Sequence, residues 1–365
     1  MLYRYIFINV FSFFKRFFVF NESLYSTVIY FPIFAIFTRN VSKRSLIFIF
    51  FFSFYLFFSG NINLLSKFTP LFLLLLAIPM FKKVDFEYLV RKSLPFFILV
   101  SLYGIYQKLF GYTSVEINWI KSGLSFAEEG AFIFYDDIRP FSTFASMPEF
   151  TLFISIYLYY FKTKRNNFML MLTFIMLYVS GSRGVFVSVI TAYIFVFVFK
   201  KINRNQLWLS FFTSLSIFLF LIFLFPLIFN TYEYSSRMLA YGTFNGRIEL
   251  LTKIFETLSI QSILTGFDLS NLNIDYTFDN LYVMLLAKFG LFGALYFVFF
   301  LLKQDINRKS FYFISIFLGY GFYADMVFSY YLMFLFFFGM YSQNSIKVED
   351  KIKYKYIKKI NPSTV

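Results

Sequence analysis

The chain has 365 residues, of which 59% are hydrophobic and 26% aromatic, with mean hydropathy +0.68, against ~45–50% apolar for soluble domains. Cys and His are both absent, which excludes disulfides, thiolate chemistry, a structural zinc site and the commonest general base. The net charge of +15 is spread over short connectors between apolar runs, a distribution that argues for a membrane surface and against a nucleic-acid partner.

In chain order the hydrophobic runs are Tyr3–Phe20, Leu24–Phe37, Ser45–Ser59, Phe68–Phe81, Leu94–Phe110 and Pro148–Phe161. They continue as Phe168–Ser180, Val185–Phe199, Leu207–Phe229, Leu281–Leu302, Phe311–Ala324 and Val327–Tyr341. At ~20 residues per span this predicts an all-α polytopic integral membrane protein with about 11–12 transmembrane helices. The lower figure allows for the first run, where Lys15 and Arg16 would cost ~2.5–3.5 kcal/mol at mid-membrane. Met1–Phe20 lacks a small-residue cleavage site, so no cleavable signal peptide is expected.

Basic connectors (Arg39, Lys43 and Arg44; Lys82, Lys83, Arg91 and Lys92; Lys162, Lys164 and Arg165; Lys200, Lys201 and Arg204; Lys303, Arg308 and Lys309) all fall on one face when the runs alternate. The positive-inside rule makes that face, and both termini, cytoplasmic. The expected organisation is N-terminal transmembrane helices (1–110), a first external loop (111–147), central helices (148–229), a large external loop (230–280), C-terminal helices (281–342) and a basic cytoplasmic tail (343–365).

External cations are few, which singles out Arg139, Arg183 and Arg247. Arg183 lies in the S-G-S-R-G turn between two short runs, which at 1.5 Å per residue would reach only ~20–23 Å through a ~30 Å hydrocarbon core. That places it at or below the outer headgroups. Arg247 opens an amphipathic segment (Ile248, Leu251, Ile254, Phe255, Leu258), and Arg139 precedes P-F-S-T-F-A-S-M-P-E-F. A planar guanidinium fork at that depth suits a lipid-linked diphosphate, although snorkelling to lipid phosphate places arginines there too. Asp279, where the second loop re-enters the apolar layer, and Glu149, at the start of another run, are candidate proton acceptors for an attacking sugar hydroxyl. The alternative role for both is a helix N-terminal acid complementing the dipole. Gly290 and Gly293 read as helix-packing glycines, Lys288 as a further phosphate contact or a snorkelling lysine, and Trp119 as an interfacial anchor.

Three fragments together resemble the superfamily of bacterial O-antigen polymerases and O-antigen ligases. They are R-P-F-S-T-F-A-S-M-P-E-F (Arg139–Phe150), S-G-S-R-G-V-F (Ser180–Phe186), and G-R-I-E-L-L-T-K-I-F through L-T-G-F-D to D-N-L-Y-V-M-L-L-A-K-F-G-L-F-G. The resemblance implies a GT-C-like glycosyltransferase that works without metal or cofactor on undecaprenyl-diphosphate-linked oligosaccharides, as donor and acceptor, at the periplasmic face of the inner membrane. It also implies a chain-length regulator and a flippase as companions. Carried over residue by residue, the diphosphate grip falls on Arg183 and Arg247, and the family's histidine falls on Asp279. That exchange points away from a ligase and towards the polymerase. The rival readings are a ligase, moving finished glycan to lipid A core or protein, and a repeat-unit flippase. A flippase would need charges lining a central cavity and would usually show internal repeats, neither of which the sequence has.

Overall fold

The computed structural model describes residues 43–58, 71–72, 74–121, 133–134, 137–138, 140–142, 144, 147–198, 204–220, 280–302, 307–323 and 330–343, together with 252, 256, 263, 264 and 266. The runs expected at Tyr3–Phe20 and Leu24–Phe37, and the tail 344–365, lie outside them.

Apolar runs closed by polar or glycine residues account for the elements. α1 spans Lys43–Phe58, and α2 (Ile78–Phe81) carries Pro79 in its first turn. Asp85 caps α3 (Phe86–Lys92), accepting from the Tyr88 N–H at 2.9 Å, and Arg91 and Lys92 complement the dipole at its other end. α4 (Leu94–Phe110) is closed by Gly111. α5 (Ser114–Lys121) and an antiparallel pair of two-residue strands, β1 (Ile133–Phe134) and β2 (Asp137–Ile138), occupy the stretch expected to be an external loop. Then follow α6 (Met147–Thr163), α7 (Asn167–Val179), α8 (Arg183–Val198) and α9 (Arg204–Leu219). α10 covers Leu281–Leu302, α11 covers Arg308–Tyr320 behind an Asn307/Ser310 capping box, and α12 covers Tyr330–Tyr341.

The fold is helical, as expected, and its layering is unusual in what it buries. α6, α11 and α12 form the centre: every residue of 150–161, 309–323 and 332–342 is buried. Around them α1, α4, α7, α9 and α10 turn large apolar residues outward, among them Phe50, Leu109 (70% exposed), Phe110 (74%), Phe168 (72%), Phe212 and Phe292. Meanwhile hydroxyls are buried between helices. α8 and α11 make the most extensive contact of any pair of described helices. At their seam Gly319 of α11 lies against Ser188 of α8 and Ser214 of α9, and Gly184, four residues before Ser188, lies against Tyr323 just beyond α11. A Cβ on Gly319 would lie 2.9 Å from the Ser214 hydroxyl and 3.0 Å from that of Ser188. Small residues at four-residue spacing let backbones approach this closely.

Among the described residues no single helix is long and apolar enough to cross a membrane. α3 and α4, bent by 56° at Ser93, reach that length together. The Leu281–Leu302 run, expected as one continuous span, is two helices meeting at Gly290, whose φ of 61° and ψ of −177° are non-helical.

The basic stretches at 82–92, 162–165 and 308–309 share one end of the bundle. There Lys164 pairs with Glu87 at 2.5 Å, and Gln343 exchanges 2.8 Å backbone hydrogen bonds with Val84 and Phe86. Lys309 departs from its expected place in a solvated connector. It is buried, donates to the Gly339 carbonyl (2.5 Å) and the Ser342 hydroxyl (2.8 Å), and lies over the Phe86 ring at 5.0 Å. The long stem allows this, because it carries the ammonium to acceptors freed at the end of α12. Desolvation there pushes its pKa well below the ordinary lysine value. The unfolded chain therefore holds a proton that the folded chain binds less tightly, and stability rises with pH between the depressed value and the ordinary one. The thermal midpoint of the purified protein is expected to climb towards about pH 10, and Lys309→Met to flatten that climb. An equal climb in the variant would assign it to other groups.

Candidate functional site

At the end of the bundle opposite the Lys164–Glu87 pair, the starts of α6, α8 and α10 meet the ends of α7 and α11. α6 begins at Met147, with Glu149 buried in its first turn. Two residues on, the Thr151 hydroxyl lies 2.7 Å from the Met147 carbonyl and 2.9 Å from the Ser180 hydroxyl, which donates to Leu177 O at 2.7 Å. The start of α6 is thereby tied to the S-G-S-R-G turn.

That turn reverses direction through Gly181, at φ 66°, and α8 starts at Arg183. The close approach falls at Gly184, where a Cβ would stand 2.4 Å from the Cβ of Tyr323. Gly184 is therefore required by packing against the segment after α11. The same segment receives α10: the Leu281 N–H donates to Gly321 O at 2.7 Å, and Asn280 Nδ2 donates to Phe322 O at 3.2 Å. Asn280 Oδ1 accepts from the Tyr282 and Val283 amides at 3.0 and 3.1 Å, so the first turn of α10 is capped from within. An aromatic group of Phe211, Phe218, Tyr282, Phe322 and Tyr323 packs behind it, with the Tyr282–Phe322 centroids 4.6 Å apart.

Of the residues singled out from sequence, Glu149 is placed with its side chain. Arg183 is placed by its backbone at the first position of α8. Arg139, Arg247 and Asp279 lie outside the described residues. Their described neighbours bear on them: Asn280 sits at the start of α10, and Ile138 and Pro140 bracket Arg139. The structure thus brings together the start of α6, the Ser180–Arg183 turn and the start of α10, three segments far apart in sequence. Chemically this end offers a buried carboxylate, a helix whose first residue is an arginine, and hydroxyls, away from the end that holds the Lys164–Glu87 pair.

Sequence reasoning missed a second polar cluster nearby. Glu116 is buried and accepts from Tyr103 Oη (2.9 Å), Gln107 Nε2 (2.7 Å), the Thr113 amide (2.9 Å) and the Thr113 hydroxyl (3.0 Å). The signal was available. Thr113-Ser114-Val115-Glu116 has capping-box spacing, and Gln107 interrupts an otherwise apolar helix.

Searches against protein-family models, curated proteins and solved structures gave no match to this chain.

Proposed function

We propose that the protein is a multi-pass enzyme of the bacterial inner membrane that polymerises undecaprenyl-diphosphate-linked oligosaccharide repeat units at the periplasmic face. The observation that carries this reading is the convergence of the Arg183 turn, the Glu149 helix start and the start of α10 at the end opposite the basic connectors. A membrane setting is supported by the large Phe, Leu and Met side chains that α1, α4, α7, α9 and α10 turn outward. It is further supported by the seam of small residues between α8, α9 and α11, and by the collection of Lys and Arg at one end.

In this mechanism a hydroxyl at the non-reducing end of an incoming lipid-linked unit attacks the anomeric carbon of the growing chain. The new glycosidic C–O bond forms as the bond from that carbon to the diphosphate oxygen breaks, and undecaprenyl diphosphate leaves with the electron pair. Arg183 and Arg247, with Arg139, hold the charge that develops on it. Asp279 or Glu149 accepts the hydroxyl proton. A carboxylate can do so once the attacking oxygen has become acidic late in an oxocarbenium-like transition state.

The deciding experiment is the surface-polysaccharide gel profile of a strain lacking the gene. The expected result is a core carrying a single repeat unit. Bare core, with long polymer accumulating on undecaprenyl diphosphate, would make the protein a ligase. A repeat unit retained on the cytoplasmic side would make it a flippase.

A further inference from the structure

We infer that the end of α3, the α6–α7 turn and the outer sides of α4 and α7 form a binding surface for an anionic phospholipid. Its phosphate would lie on Arg91, Lys92 and Arg165, and its acyl chains along the two longer helices. The inference rests on the membrane setting proposed above and on no step of the polymerase reaction.

α4 and α7 both run antiparallel to α6 and pack on it and on each other. Phe97 stacks on Tyr157 with centroids 4.1 Å apart, and a Cβ on Gly104 would fall 2.7 Å from the Phe150 ring and 3.4 Å from the end of Met176. Both helices therefore start at the end that holds the Lys164–Glu87 pair. Away from α6 they turn out Leu99, Leu102 and Leu109 of α4 and Phe168, Met171 and Ile175 of α7. The 56° bend that sets α3 off the axis of α4 is held at Ser93, whose carbonyl accepts from Tyr157 Oη at 3.0 Å and whose hydroxyl lies 2.6 Å from it. Glu87 then ties α3 to Lys164 of the α6–α7 turn, and Arg91 follows one turn later on the same face of α3.

Arg91, Lys92, Lys164 and Arg165 are all exposed. The carboxylates nearest in the chain are engaged, Asp85 as the cap of α3 and Glu87 with Lys164, which leaves three cations for a phosphate. Lys92 lies over the exposed Tyr88 ring at 5.9 Å, an aromatic and a cation together at the depth of a headgroup. Arg165 carries the most information. It takes φ 56° just past α6, with the Asn166 N–H donating back to Phe161 O at 3.0 Å, the closure at which glycine is the ordinary residue. An arginine there keeps a strained backbone that glycine would relieve, which argues for a use of its guanidinium. Complementing the dipole of α6 is not that use, because Lys162 and Lys164 do so without positive φ. Phe168 follows three residues later, so the apolar face begins where the charges end. Lys162 is turned the other way, over Tyr193 and Phe197 of α8 at 5.6 Å, and takes no part. Cations that border an outward apolar face suit a lipid with a net negative headgroup.

The test titrates the purified full-length protein in detergent with phosphatidylglycerol, and with phosphatidylcholine of the same chains, and counts bound lipid by native mass spectrometry. The wild type is expected to prefer phosphatidylglycerol. Arg91→Gln with Lys92→Gln should weaken that binding about thirtyfold, the loss of two cations at a lipid headgroup. The control is Lys43→Gln with Arg44→Gln, which removes the same charge from the exposed start of α1, a helix that packs on α10 through Phe48 against Tyr296 and Phe297. It should change the affinity less than about twofold. Arg165→Gly should weaken binding about fivefold while raising the thermal midpoint, since glycine relieves the left-handed backbone. Equal binding of the two lipids, or equal losses in the double variant and its control, would overturn the site in favour of general charge attraction. A more stable Arg165→Gly that binds as well as wild type would overturn it too, by removing the reason for an arginine in that turn. Recovery of the protein from lysed cells in the soluble fraction, without detergent, would overturn the membrane setting itself, and this inference with it.

Discussion

Arg183→Ala and Arg247→Ala are each expected to abolish polymer while leaving the amount of membrane protein unchanged, and Lys347→Ala, in the basic tail, is expected to leave polymer as it was. The expected loss is about 10²–10³-fold per arginine, the cost of removing one preorganised group that stabilises developing charge. Arg183 carries this expectation because of where its backbone lies. It opens α8 directly after Gly181, and that turn is tied to the start of α6 through Thr151 and Ser180 and to the segment after α11 through Gly184 and Tyr323. It also stands at a helix start, where an anion is favoured. The measurement is the ladder of surface polysaccharide from cells expressing each variant, with immunoblots of the membrane fraction. Normal ladders from both arginine variants would sink the diphosphate-grip model.

The second large effect is on the fold. Gly290→Ala is expected to destabilise the protein by about 3 kcal/mol or more, and Gly111→Ala by about 1–2 kcal/mol. Both glycines occupy a backbone region open almost solely to glycine, with φ 61° at Gly290 and φ 87° at Gly111. They differ in what surrounds them. A Cβ on Gly111 meets the end of the Ile138 side chain at 3.3 Å, which can give way. A Cβ on Gly290 falls 2.1 Å from the carbonyl oxygen of Leu264 and 2.7 Å from the amide nitrogen of Gly266, which are backbone atoms and cannot. The excess for Gly290 therefore measures the seating of the Leu264–Gly266 turn in the break of α10. Thermal unfolding of the two purified variants gives the comparison, and equal losses would show that the seating contributes nothing.

Helix placement was legible because each described run is a local pattern with its own punctuation. Leu94–Phe110 coincides with α4, and Phe168–Ser180 with α7 to within a residue at each end, because Pro95, Asn166, Ser180 and Gly111 are local stop and start signals. The break at Gly290 was not legible. K-F-G-L-F-G reads as a packing motif, and only a second segment arriving at Gly290 distinguishes a broken helix from a close pair. Lys309 was counted with the solvated connectors for the same reason: its acceptors, Gly339 and Ser342, lie at the far end of another helix.

The sequence by itself determined the helical class, the location of the described runs and the gathering of basic residues in the short connectors between them. These are properties of neighbouring residues and of composition, and they need no knowledge of which helix touches which. Tertiary structure alone decided that the starts of α6, α8 and α10 share one end, that α6, α11 and α12 are the buried centre, and that Gln107, bonded to Glu116, accepts from the Phe141 and Ser142 amides. Each of these is a contact between segments distant in the chain, fixed by close approach at small residues and by buried hydrogen bonds, and no local pattern encodes the partner.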